Sequence, residues 1–317
     1  MPKLFVFAFF LIFVSCSERT TISDTGTIVV DYNEENIFKW DNFVQVLSVI
    51  PLETNTDCLL SYARKCLFMD DYIVFHDDKQ KAIYVFNENG SFLYSIDAVG
   101  SGPNEYTEIR DVIISYDKKS ILVLDNASVL AFDVKSGMFQ NRFSLDPIVA
   151  SDFYRFANTE ERVYYFWSTE KINSLYLYKD DRLEAIQKNE GFPYVCQKFY
   201  NGPKGSLNYI SNYGTFTIST LKGSDAVNEH IFDFGRWNLP SEMLPKDVGE
   251  LEVVDKREYF KCIMSAFETD DFLYATTVSP DKKLYNICVD KQTHKVKTGC
   301  QDEDAPIVVV GTHNNSF

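Results

Sequence analysis

None of the seven cysteines pairs with another at CxxC spacing, so neither a zinc knuckle nor a dithiol redox motif is present. The four histidines, His76, His230, His294 and His313, stand alone, without an HExxH or HxH pattern. No GxSxG elbow occurs, and no acidic loop has EF-hand spacing. Basic residues are scarce: 31 Lys and Arg stand against 46 Asp and Glu, a formal charge of −15. That balance argues against a nucleic-acid partner. The acidic excess is spread along the 317 residues and reads as solubilising surface charge. Sustained helical periodicity is lacking, and no apolar run reaches the ~20 residues a membrane-spanning helix needs.

The longest apolar run is at the N-terminus. Lys3 precedes Leu4 to Val14, an uninterrupted stretch of 11 residues, which fits the hydrophobic core of an export signal. Ser15-Cys16 follows and resembles a bacterial lipobox, with Phe13 where Leu is usual. The resemblance implies a signal peptide over 1–15, cleavage before Cys16 and acylation of Cys16. An ordinary cleaved signal with an incidental cysteine is the alternative. Several acyl chains on one residue give a stable membrane anchor. Residues 16–42 then read as the lipidated cysteine and a spacer, and 43–317 as the folded domain. The other cysteines, Cys58, Cys66, Cys196, Cys262, Cys288 and Cys300, read mostly as buried free thiols, since a domain this large needs no disulfides.

Apolar residues make up 45%, with 26 Phe and 19 Tyr, a composition that favours pleated, half-buried strands. Short apolar runs separated by turn residues signal an all-β fold. Tyr72 to Ile96 and Ser120 to Leu145 share one pattern: a strand ending in Asp, a second strand, a Gly turn and a third strand. Asp77 matches Asp125, Phe86 matches Phe132, Gly90 matches Gly137 and Phe92 matches Phe139, at offsets of 48, 46, 47 and 47. A near-constant period of that size suits one four-stranded propeller blade. The rhythm continues more loosely to Cys300. Between Gly235 and Arg257 it breaks; Pro240 and Pro245 prevent a continuous helix there and leave short helical turns. The aromatic stretches Val163 to Trp167 and Leu175 to Tyr178 read as core rather than sugar-stacking surfaces.

Pro51-Leu52-Glu53-Thr54, Asp77, Phe86, Asn89-Gly90-Ser91-Phe92 and Gly100-Ser101-Gly102-Pro103-Asn104-Glu105-Tyr106 occur in that order. Together they resemble the first blade of the six-bladed β-propeller lipoproteins of Bacteroides-type bacteria, which are related in form to NHL-repeat propellers. The resemblance implies an all-β, six-bladed β-propeller, exported and lipid-anchored in the cell envelope, at the outer membrane. Five full blades are expected between Leu59 and Cys300. Phe43 to Glu53 and Ile307 to Val310 would form an incomplete sixth, the C-terminus ending short of the family's length.

Gly100 to Tyr106 superficially resembles a phosphate-cradling loop. A strand rather than a helix follows, and the P-loop Lys is missing. A structural corner between blades, with Gly100, Gly102, Pro103 and Asn104 shaping the path and Glu105 and Tyr106 anchoring it, is the favoured reading; a ligand-contacting rim is the other. No catalytic residues are identified. The first functional expectation is a non-enzymatic binding or interaction module for a glycan, peptide or partner protein, without cofactor. The second is a hydrolase or lyase with a metal such as Ca²⁺ in the central channel, for which Glu108, Asp111 and Asn208 are the candidate ligands.

Overall fold

The computed structural model describes residues 26–39, 48–69, 71–170 and 172–301. Two short strands come first, β1 (Thr27–Val29) and β2 (Ile37–Phe38). Five antiparallel sheets follow, each with four strands in chain order. Blade 1 is β3 (Ala63–Phe68), β4 (Tyr72–Asp77), β5 (Ala82–Asn87) and β6 (Phe92–Ile96). Blade 2 is β7 (Asp111–Ile114), β8 (Ser120–Asp125), β9 (Ser128–Asp133) and β10 (Phe139–Ser144). Blade 3 is β11 (Phe153–Glu160), β12 (Val163–Ser168), β13 (Asn173–Lys179) and β14 (Arg182–Lys188). Blade 4 is β15 (Phe199–Asn201), β16 (Leu207–Ile210), β17 (Thr217–Lys222) and β18 (Asp225–Asp233). Blade 5 is β19 (Ile263–Glu268), β20 (Phe272–Val278), β21 (Leu284–Asp290) and β22 (Val296–Gln301).

The middle strands of a blade are covered on both faces, so their sequences are almost continuously apolar. In β5 five consecutive residues are buried, and so are the last five of β8. The last strand of a blade faces solvent on one side, and β6 alternates accordingly. Successive blades share apolar clusters. Val74, Ile83 and Val85 pack with Val112, Val123 and Leu130 between blades 1 and 2. Trp167, Leu175 and Leu177 meet Tyr209 and Leu221 between blades 3 and 4.

The repeated Asp and Gly have defined tasks. The Asp77 carboxylate accepts from the backbone N–H of Ser61, Tyr62 and Gln80, and Asp125 accepts from Thr107 and Glu108. Each thus ties down the chain as it enters its blade's first strand. Burial pushes the Asp77 carboxyl up, but hydrogen bonds from Gln80, Tyr62 and Ser61 outweigh that and hold it below the usual carboxylate range. Gly90 and Gly137 lie at φ +84° and +69°, in matching hairpin turns where a side chain is strained. Asn87 and Asp133 accept from the backbone of these two turns.

The six-bladed expectation is corrected: the structure has five blades and no partial sixth among the described residues. Five blades do occupy the span from Leu59 to Cys300, but the N-terminal chain lies elsewhere than in a sixth blade. β1 pairs in parallel with β18, and β2 pairs in parallel with β22, at the outer edges of blades 4 and 5. Ser48 to Glu53, expected as part of an outer strand, carries no strand. Instead Glu53 N–H donates to Gly90 O, and Glu53 Oε2 accepts from Phe92 N–H, fastening this stretch to blade 1. Residues 43–47 and Ile307 to Val310 lie outside the described residues.

The break after blade 4 contains two single 3₁₀ turns, Gly235–Trp237 and Ser241–Met243, and the helix α2 (Val248–Asp255) capped by Asp247. A one-turn helix, α1 (Pro147–Ala150), links blades 2 and 3. All six described cysteines are free, and five of them are buried.

Candidate functional site

The first strands of the five blades, β3, β7, β11, β15 and β19, border a central cavity of about 760 Å³. That volume is in the range of small-molecule sites. In a protein of charge −15 its wall carries five cations, Arg64, Lys65, Arg110, Arg155 and Lys198, and one carboxylate, Asp111. Three of the cations are paired. Arg64 meets Asp78 at 2.9 Å, Lys65 meets Asp111 at 2.7 Å, and Arg110 meets Glu108 at 2.5 Å. Arg110 also reaches the carbonyls of Ser151 and Phe153 and stacks on Tyr154, so it joins blade 2 to blade 3.

Arg155 and Lys198 are different. Among the described residues neither has a carboxylate within ion-pair distance. Arg155 Nε donates to Cys196 O at 3.3 Å, and Nη1 donates to Arg110 O and Tyr154 O at 3.1 and 2.7 Å. Three backbone carbonyls therefore fix the guanidinium plane. Lys198 is 1% exposed; its Nζ donates to Ser211 O and Asn212 Oδ1 and lies over the Trp167 ring. Burial lowers the Lys198 pKa, because the charged form loses water without gaining a carboxylate.

Two other wall residues present buried polar atoms without a hydrogen-bond partner: Nε2 of His76 on β4, and both amide atoms of Asn286 on β21. Burial lowers the His76 pKa to about 4, so the imidazole is neutral at neutral pH. Aromatic rings, among them Phe68, Phe199, Phe267 and Tyr274, supply flat apolar wall between these polar points.

The three candidate metal ligands are not brought together. Asp111 lines the cavity, but its carboxylate is held by Lys65 and by the backbone N–H of Val112 and Phe156. Glu108 is turned to Arg110. Asn208 is buried at the boundary of blades 4 and 5, donating to Glu268 and accepting from Thr220. Among the described residues no three His, Cys, Asp or Glu side chains group to hold a metal ion.

The Gly100 to Tyr106 loop lies away from the cavity. Glu105 Oε2 accepts from Gly102 N–H at 2.8 Å, and a Cβ on Gly100 would sit 1.9 Å from that oxygen. Tyr106 is fully buried with its hydroxyl 2.9 Å from Lys81 O and 3.0 Å from Ile96 O, tying the crossing to blade 1. Asn104 adopts no left-handed conformation, so close approach, not backbone handedness, shapes this corner. Tyr165, Trp167, Tyr176 and Tyr178, from the two aromatic stretches, are buried between blades and away from the cavity. Cys16 and the N-terminal signal lie outside the described residues.

Arg155, Lys198 and Asn286 went unnoticed in the sequence. The available signal was a cation inside an aromatic run, "FYRF" and "QKFY", at the start of a blade. His76 was seen only as a lone histidine.

No curated protein matches the chain. Among solved structures, a Bacteroides fragilis protein described as exported superposes with a TM-score of 0.73 at 19% identity, covering 86% of this chain and 80% of its own. A Bacteroides vulgatus member of the DUF4221 family gives a TM-score of 0.52 at 13% identity, covering 79% and 84%. At such identities the likeness speaks for the propeller fold alone. The family described as domain of unknown function DUF4934 matches residues 25–315. With nearly its whole length matched, the chain belongs to the DUF4934 family.

Proposed function

We propose that this protein is a non-enzymatic binding module, exported and anchored at the cell envelope through Cys16, which holds its ligand in the central cavity. The observation behind this reading is the cavity itself. It draws wall residues from all five blades, while the acidic groups near it are spent on structural bonds. A rigid ring with a chemically mixed well is suited to capture. The export signal and lipobox-like Ser15-Cys16 support the envelope location, and among the described residues no helix is long and apolar enough to cross a membrane.

Ser265 borders the cavity on β19. Ser265→Trp should narrow the well and obstruct its occupant while leaving the blades folded. The protein, solubilised from its membrane, is expected to release an organic ligand on denaturation, identifiable by mass spectrometry. The variant should release at least ~10-fold less; equal release from both would overturn the cavity as the site. Conversion of the released ligand when returned to the protein, or stoichiometric Ca²⁺ in the purified chain, would instead favour a hydrolase or lyase. Anchoring is tested separately. Cys16→Ala should move the protein from the membrane fraction to the soluble one or leave it uncleaved. Unchanged fractionation and mature mass would refute acylation.

A further inference from the structure

We infer that the central cavity takes a small carboxylate-bearing ligand, its carboxylate paired with Arg155 and its neutral polar groups meeting His76 and Asn286. This deepens, and rests on, the reading of the cavity as the binding site. Three independent observations converge on it.

First, Arg155 has spent Nε and Nη1 on three backbone carbonyls, while Nη2 makes no hydrogen bond among the described residues. A guanidinium clamped in this way cannot swing into bulk water, so its remaining N–H groups are pre-set for a planar oxyanion. Second, the Arg155 charge has no carboxylate within ion-pair distance among the described residues. Arg155 donates to the carbonyl of Cys196, two residues before Lys198, and neither cation has a carboxylate partner among the described residues. An uncompensated guanidinium raises the free energy of the empty protein, and an entering anion offsets that cost. Third, the unpartnered atoms of His76 and Asn286 are buried in the cavity wall. Buried polar atoms are satisfied in the great majority of cases, by protein or by ordered water, so these open groups are the points of the cavity wall that an occupant can satisfy. A neutral imidazole and an amide both donate and accept, and they suit hydroxyls or amides rather than a second charge. About 760 Å³ holds a ligand of roughly disaccharide size.

The test is calorimetry on the full chain in detergent. Digalacturonate, the dipeptide Ser-Glu and citrate serve as carboxylate probes, with lactose as the neutral control. At least one carboxylate probe should bind and lactose should not. Digalacturonate would point to an acidic sugar as the source of the carboxylate, and Ser-Glu to a peptide. Arg155→Gln should weaken that binding by at least ~10-fold, and Arg155→Lys by less. Asn286→Leu should weaken it ~3- to 10-fold while leaving the melting temperature unchanged or higher, because an unsatisfied buried amide is removed. That last pairing keeps the test informative if Arg155→Gln folds poorly. No binding by any carboxylate probe would overturn the inference. So would equal binding of lactose and digalacturonate with Asn286→Leu without effect; if Ser265→Trp still blocked both, the cavity reading would stand. Carboxylate binding that survives Ser265→Trp would remove the cavity reading as well.

Discussion

Gly90 and Gly100 look alike in the sequence but are constrained differently. Gly90 sits at φ +84°, and a Cβ there would lie 2.2 Å from the Pro51 carbonyl oxygen, which is backbone and cannot step aside. Gly100 has ordinary φ, and its obstacle is the mobile end of the Glu105 side chain. Gly90→Ala should therefore cost about 3 kcal/mol, combining left-handed strain with overpacking. Gly100→Ala should cost about 1 kcal/mol through the lost Glu105–Gly102 hydrogen bond. Urea unfolding of both variants checks the order, and a larger cost at Gly100 would refute the distinction. His76 yields a pH prediction. Unfolded, it takes up its proton near pH 6.5; folded, only near pH 4. Between these values the unfolded chain holds more protons, so stability is full above pH 6.5 and falls as the pH drops towards 4, by about 3 kcal/mol at the acid end. In His76→Gln the fall across that window should largely vanish, leaving the carboxylate-driven loss at lower pH. An unchanged slope would show that His76 is not buried as described.

Among the elements, those buried on both faces or closed by a Gly turn were legible in the sequence: β4 to β6 and β8 to β10. Their apolar runs and the matched Asp and Gly positions follow from local physics. β11 and β15 were missed for local reasons: Arg155, Asn158, Thr159 and Glu160 interrupt the apolar pattern of β11, and β15 is only three residues long. β1 and β2 were missed for another reason. They are only three and two residues long and are held by β18 and β22, far along the chain. No local periodicity encodes such a pairing. What fastens the N-terminal chain between β1 and β2 is Tyr32, edge-on to Trp237, Phe260 and Tyr285 with its hydroxyl donating to Asp281 at 2.8 Å. Tyr32→Phe should cost about 1 kcal/mol. Tyr32→Ala should cost about 3 kcal/mol and, in hydrogen exchange, loosen the outer edges of blades 4 and 5 before the other blades. Uniform loosening of all five blades would contradict this local role.

At the scale of the whole molecule, the described residues form four boundary cores between consecutive blades, and the 4–5 boundary adds a polar lock. Glu268 takes Lys291 at 2.9 Å, His230 at 3.3 Å and Asn208 at 3.1 Å. Burial pushes its carboxyl up, yet His230 and Lys291 hold it below the usual carboxylate range, so the lock strengthens the fold near neutrality and weakens in acid. The pairing of Thr27 with Ile231, and of Ile37 with Cys300, has a consequence in time rather than in energy. A growing chain makes residues 27–38 before any blade, yet their docking edges emerge only with β18 and β22. Residues 27–38 are thus made before the blades and settle after them. Until then two sheet edges stay open to other chains. A variant whose chain begins after Phe38 should keep its blades but show concentration-dependent light scattering during refolding. The chain that retains this segment should refold slowly, as long-range pairing demands, and stay clear.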